Sequence, residues 1–223
     1  MKKILFFVLL LGGFLYADEY ICGLVRTTNI NDCSFSIVWT TNCECKGFVK
    51  YWKTVNSPMF SYDERGSDYR GFIHFVTVSG LEPQTEYYFL LTDGTRYFDN
   101  SGKPFVVETG PILSIPSPNQ VYGKVLFKDE SPAKDAVVFL QIKDNNKRGS
   151  TGCSQSFAGI VNEEGYWTLN LGGIRDDSFS SYFLWSKGED VFEITVFTGP
   201  CNCFCYTVSS NSTRPIQTLY IEK

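Results

Sequence analysis

Apolar side chains recur at every second position in one short run after another: Phe35, Ile37 and Trp39; Val49 and Tyr51; Phe72, His74, Val76 and Val78. A period of two puts each set on one face of an extended strand, whereas a helix needs spacings of three and four. EYYFLLT and PFVVET continue the series, with Asp93-Gly94 and Asn100-Ser101-Gly102 as turn residues between them. Nothing between residues 18 and 115 shows a helical period of useful length. The chain is 43% hydrophobic and 16% aromatic, with 19 Phe and 13 Tyr against 2 Met. That mixture suits pleated sheet better than helix and excludes disorder as the main state.

The first seventeen residues, MKKILFFVLLLGGFLYA, combine a basic start, an apolar run from Ile4 to Leu15 and Ala17 ahead of acidic Asp18 and Glu19. This is the pattern of a secretory signal peptide (1–17). The run is short of the ~20 residues that span a bilayer, so membrane association is expected only through an uncleaved leader. The mature protein is expected to be secreted, extracellular or at the cell surface, with the periplasm as a further compartment. Losing Lys2 and Lys3 with the leader takes the formal net charge from −4 to −6. A phosphate-backbone binder needs a basic face, so nucleic acid is not an expected partner.

Residues 111–119, PILSIPSPN, hold three prolines and no alternation, and mark the linker. Ahead of it, Leu81, Pro83, Thr85 and Tyr87 form an L-x-P-x-T-x-Y sequence leading into a strand. The Tyr87 ring can pack inward there while its hydroxyl reaches back to a loop carbonyl. This segment resembles the tyrosine corner of fibronectin type III domains, and HFVTVSGLEPQTEYYF resembles the sandwich preceding the catalytic domain of purple acid phosphatases. After the linker, Gly123 and Val125, then Pro132, Ala136, Val138 and Leu140, then Gly165, Trp167, Leu169 and Leu171 look like the carboxypeptidase regulatory and Cna-B-like sandwich. The Cys-rich VFTGPCNCFCYTV departs from that pattern. Lys124 lies where some Cna-B domains carry an isopeptide Lys, but TLYIEK offers no Asn and no such bond is predicted. The resemblances imply two tandem immunoglobulin-like β-sandwiches, over 18–110 and 120–223.

All eight cysteines lie behind the leader: Cys22, Cys33, Cys43 and Cys45 in the first half, Cys153, Cys201, Cys203 and Cys205 in the second. In an exported chain, four and four suggest two separately stapled units. Cys43 and Cys45 stand on one face of an extended chain ~6.5 to 7 Å apart, at the edge of disulfide reach, so they are expected to pair outward, to Cys22 and Cys33. Cys201, Cys203 and Cys205 share one face with only Cys153 elsewhere in that half, and a bulge or turn near Asn202 would ease pairing. A soft-metal site of these four has donors suited to Cu(I) or Zn, but the spacing is not a C-x2-C knuckle. Disulfides are the expectation, with no metal and no cofactor.

Catalytic groups are sparse. His74 is the single imidazole, with no nucleophile visible beside it, and reads as a packed structural residue. Asp63, Glu64 and Asp68 lack the order of a calcium loop and, interleaved with Arg65 and Arg70, read as a solvated acidic turn. Phe60, Tyr62 and Tyr69 are the candidate contact residues of a loop at one end of the first sandwich. Asn211-Ser212-Thr213 fits the short N-glycosylation pattern. The chain is therefore expected to be a secreted or cell-surface, non-catalytic structural or binding protein, such as an adhesin-like module or filament subunit. Its partner is expected to be protein, through self-assembly or another surface protein, or a surface glycan. The segment from Asp18 to Thr28 serves as the first strand of its own domain or, in a filament, adds to a neighbour. An accessory subunit or remnant of a secreted hydrolase is the alternative. A pilus chaperone is disfavoured, because both halves are acidic: 8 basic against 12 acidic residues over 18–115, and 10 against 12 over 119–223.

Overall fold

The computed structural model describes residues 21–200 and 202–223, so the leader and Cys201 lie outside the described residues, as does the side chain of Cys22. In the first sandwich, β1 (Ile21–Thr28), β2 (Ser34–Cys45) and β5 (Gly71–Ser79) make one antiparallel sheet in the order β1-β2-β5. The facing sheet runs β4 (Met59–Tyr62), β3 (Phe48–Trp52), β6 (Glu86–Thr92), with β7 (Tyr97–Phe98) and β8 (Phe105–Glu108) both on the far edge of β6. Between the sheets pack Phe35, Ile37, Trp39, Val49, Tyr51, Val76, Val78, Tyr87, Phe89, Leu91 and Val107. These are the residues that period-two alternation turns inward.

In the second sandwich, β9 (Gln120–Phe127) lies between β12 (Tyr166–Asn170), which runs antiparallel to it, and β15 (Leu219–Ile221), which runs parallel. The facing sheet is β11 (Phe157–Ile160), β10 (Val137–Lys143), β13 (Val191–Gly199) and β14 (Asn202–Ser209). Val121, Val125, Val138, Leu140, Ile142, Trp167, Leu169, Phe192, Ile194 and Ile221 fill the space between. The protein is all-β, with two immunoglobulin-like sandwiches. No helix among the described residues is long and apolar enough to cross a membrane.

The corner before β6 closes differently from expectation. The Tyr87 hydroxyl accepts a hydrogen bond from the Glu82 amide at 3.0 Å, and no carbonyl acceptor for it is found among the described residues. Thr109 supplies the carbonyl contact, its hydroxyl donating to Glu82 O at 2.6 Å and accepting the Thr85 amide at 3.0 Å. Thr85 donates to Pro83 O at 2.9 Å, and buried Leu81 ties its amide to Cys33 O at 2.9 Å.

The two sandwiches share an apolar seam. Val38, Ile73 and Phe75, on the outer face of β2 and β5, pack against Val137, Phe139 and Ala158 of β10 and β11. This explains why β2 is buried at seven successive positions instead of alternating. The Arg26 guanidinium lies 5.2 Å from the Phe139 ring centre and 4.8 Å from that of Phe197. Residues 111–119 carry no strand or helix but are strapped down: Pro111 O accepts from Arg175 Nη1 at 2.9 Å, Ser114 O from Tyr182 at 2.6 Å, and the Asn119 amide donates to Asn170 Oδ1 at 2.8 Å. Gly172 lets the Ser117 carbonyl approach where a β-carbon would stand. Two independently stapled units on a free tether is therefore not the observed arrangement.

The expected cysteine pairings among the described residues are also corrected, while those through Cys22 and Cys201 lie outside the described residues. Cys33, Cys43, Cys45, Cys153, Cys203 and Cys205 form no disulfide with one another. Cys33 precedes β2 and Cys45 ends it, 12 residues later at ~3.3 Å each, far beyond the ~7 Å a disulfide can span. Cys153 bridges to Lys143 at one end of β10, whereas Cys205 lies level with Phe139, two strands across. That separation keeps Cys153 from bonding to Cys203 or Cys205, and no group of three His, Cys, Asp or Glu suited to a metal occurs among the described residues.

Candidate functional site

Phe60 and Tyr62 stand in β4, an edge strand, and not in a loop; they are 44% and 50% exposed. Register on β3 places Tyr62 opposite Phe48 and Phe60 opposite Lys50, all directed away from the core. The Phe48 ring meets both, with centroids 6.1 Å from Phe60 and 5.3 Å from Tyr62. The same outer face continues through Trp52, stacked on Tyr88 at 6.3 Å and 18°, to exposed Val106 on β8. Tyr97 is exposed under the Lys50 ammonium, 5.0 Å from its ring centre. Glu86, bonded to the Tyr88 hydroxyl, and Glu108 lie at one end. The result is an aromatic platform on the outer face of this sheet. Phe48, Trp52, Tyr88 and Tyr97 were missed as contact residues. The signal for Phe48, Trp52 and Tyr88 was the off-face of FVKYW and EYYFLLT, the positions alternating with Val49, Tyr51, Tyr87 and Phe89; Tyr97, in the short β7, had none.

Tyr69 belongs elsewhere. The Arg65 guanidinium lies 3.7 Å from its ring centre and donates to its hydroxyl at 2.8 Å, and burial pushes that hydroxyl's pKa up to about 12. Asp63 is not solvated as expected but 5% exposed. Its carboxylate takes Arg65 Nε at 2.8 Å and Nη2 at 2.9 Å, together with the amides of Arg65 and Phe75 at 3.0 and 2.9 Å. Arg65 also donates to Ile73 O at 2.6 Å and comes within 3.5 Å of Asp135 across the seam. A buried carboxylate is tolerated because every lone pair meets a donor. Asp68 does lie in solvent, paired with Lys46.

A nucleophilic residue does stand beside His74, contrary to expectation. Cys45 Sγ is 3.4 Å and Thr41 Oγ1 3.3 Å from Nε2, while Asp63 Oδ2 is 4.0 Å from Nδ1. The imidazole is fully buried against Trp39, with centroids 4.9 Å apart, and Gly47 packs its backbone where any β-carbon would strike Nδ1. Burial, assisted by Arg65 and opposed by Asp63, pulls His74 down to about 4, so the ring is neutral at physiological pH. Nδ1 has no hydrogen-bond partner among the described residues. Cys45 is 6% exposed. The constellation has the members of a Cys-His-Asp triad, and its buried polar contacts tie β2 to β5.

Asn211-Ser212-Thr213 lies on the rim of a polar cleft with Trp185, Lys187 and Arg214.

No family model matches this sequence, and no curated protein matches it. Solved structures do. The sensor domain of the anti-sigma factor RsgI4 of Pseudobacteroides cellulosolvens is 19% identical over 42% of this chain and 97% of that one, with a TM-score of 0.31. Three fibronectin type III domains of chicken CNTN1 are 14% identical over 90% of this chain and 67% of that one, TM-score 0.30. The major pilin SpaA of Corynebacterium diphtheriae is 10% identical over 92% of this chain and 68% of that one, TM-score 0.28. At these values the likeness does not reach beyond fold class.

Proposed function

We propose that this chain is a non-catalytic structural or binding protein of the cell exterior, an adhesin-like module or filament subunit, whose aromatic platform makes the contact. The carrying observation is the outer face of β3, β4 and β6, where Phe48, Trp52, Phe60, Tyr62, Tyr88 and Tyr97 lie on one sheet beside a single Lys50. Exposed apolar area of that kind on a well-packed sandwich marks a place for a partner. Two further observations support the reading. The sole imidazole is enclosed, and the leader carries the marks of export. The corner at Tyr87 supports a fibronectin type III resemblance of the first half, and the Gly123, Pro132 and Trp167 pattern supports a carboxypeptidase regulatory resemblance of the second.

The test joins location to surface. Cells making the chain with its own leader are fractionated, and their adhesion to abiotic and glycan-coated surfaces is compared with that of cells making W52S/F60S/Y62S. The chain is expected in the exterior fraction, and the triple variant is expected to keep its circular dichroism while adhesion falls at least tenfold. A cytosolic chain overturns the reading, and undiminished adhesion removes the platform from it.

A further inference from the structure

β14 is hydrogen-bonded along one edge only, to β13, and its other edge pairs with no strand among the described residues. Its sequence, NCFCYTVS, has no charge and no proline, so the edge lacks two of the devices that keep sheet edges apart. At eight residues it is also long for an edge; β11, at the other end of the same sheet, has four. Phe204, Tyr206 and Val208 turn toward the core. Cys203 and Cys205 turn outward and are exposed, with Thr195 Oγ1 3.7 Å from Cys205 Sγ.

These two sulfurs are poorly placed for one another, since same-face neighbours stand ~6.5 to 7 Å apart along a strand. They are well placed for a copy of themselves. An antiparallel pair of β14 strands related by a two-fold axis through Phe204 sets Cys203 directly opposite Cys205 of the second copy, and Cys205 opposite its Cys203. Directly opposed residues have Cα atoms about 4.5 or 5.5 Å apart, inside the range of about 4.4 to 6.8 Å that a disulfide spans. The contact is isologous, so it closes at a dimer.

We propose that β14 is a self-association edge, at which two copies of this chain pair about Phe204 and are joined by two reciprocal Cys203 to Cys205 disulfides. Each bond forms by exchange with a low-molecular-weight disulfide. One cysteine thiolate attacks it and releases one small thiol, and the opposing cysteine thiolate then displaces the second. Two such oxidants are reduced to four thiols as four cysteine thiols lose four protons and four electrons. The inference rests on the exterior reading only for its oxidant and is independent of the aromatic platform.

The test uses the full-length mature chain with Cys22, Cys33, Cys43, Cys153 and Cys201 replaced by Ser, equilibrated with oxidised and reduced glutathione. Light scattering and non-reducing gels are expected to show a dimer that dithiothreitol separates, with peptide mass spectrometry finding Cys203 joined to Cys205. In this register Cys203→Ser and Cys205→Ser each abolish the covalent dimer alone, yet a mixture of the two gives a heterodimer with one bond. Circular dichroism reports whether the background variant folds; if it does not, the same gels and peptide maps on the native-cysteine chain decide. A monomer with both thiols titratable, a Cys203 to Cys205 bond within one chain, or a covalent dimer from either single variant alone would overturn the proposal.

Discussion

The carboxamide of Gln155 exchanges two hydrogen bonds with the backbone of Ile30, accepting its amide at 3.1 Å and donating to its carbonyl at 2.9 Å, across 125 residues of sequence. Asn29 does the reverse with Ala158, donating to its carbonyl at 3.0 Å and accepting its amide at 2.8 Å. Each side chain stands in for a strand that is not there. Together they extend the apolar seam with polar pairing that water cannot replace, because Gln155 is 5% and Ile30 4% exposed.

Gln155→Leu keeps the bulk and removes both bonds. It is expected to cost about 1 to 3 kcal/mol, the penalty for leaving a buried amide and carbonyl unpaired. Because the seam couples the halves, calorimetry is expected to show one transition that moves down as a unit. Two resolved transitions, with neither shifted, would contradict that coupling.

Tyr87→Phe removes the acceptor of the Glu82 amide and is expected to lower stability by about 1 kcal/mol. Thr109→Val removes both the donor to Glu82 O and the acceptor of the Thr85 amide, so its loss in urea unfolding is expected to be the larger. An inert Thr109→Val would place the corner's closure elsewhere.

The neutral, buried His74 makes stability depend on pH. Its folded pKa of about 4 lies below the ordinary 6.5, so the unfolded chain binds a proton in that interval which the folded chain refuses. Stability is therefore full above pH 6.5 and declines as pH falls toward 4, by up to about 3 kcal/mol from this group. Denaturation midpoints measured from pH 7.5 to 4.5 are expected to fall less steeply in His74→Gln. Identical slopes would mean that the ring titrates normally.

Arg175 is 1% exposed, and its guanidinium holds Pro111 O and Phe179 O at 2.9 Å and Asp32 at 3.4 Å. Native chain treated with a broad-specificity protease is expected to resist cleavage over 110–119, and Arg175→Met is expected to expose that strap to cutting. Equal cutting of both would show that the strap is held by other contacts.

The inward residues of nearly every strand were legible, because alternation records which face meets the core, and Leu81 to Tyr87 marked a corner. The second burial of β2 and β5 was written only as apolar off-face residues, Val38, Ile73 and Phe75, and alternation cannot say what covers them. Asn29 and Gln155 have no periodic signature at all. The Cys45, Asp63 and His74 cluster joins three segments that meet only once the sheet is formed. β4 read as a loop because MFSY does not alternate, and so the platform it edges was seen only as Phe60 and Tyr62.

The seam also bears on modularity. A sandwich with one dry face can be moved between proteins as a cassette, since its surroundings are solvent. Here each half carries a second apolar face complementary to the other, so neither can be transplanted, duplicated or exchanged without its mate. Substitutions at Val38, Ile73 or Phe75 are read by Val137, Phe139 and Ala158, so the stability of each half depends on the other.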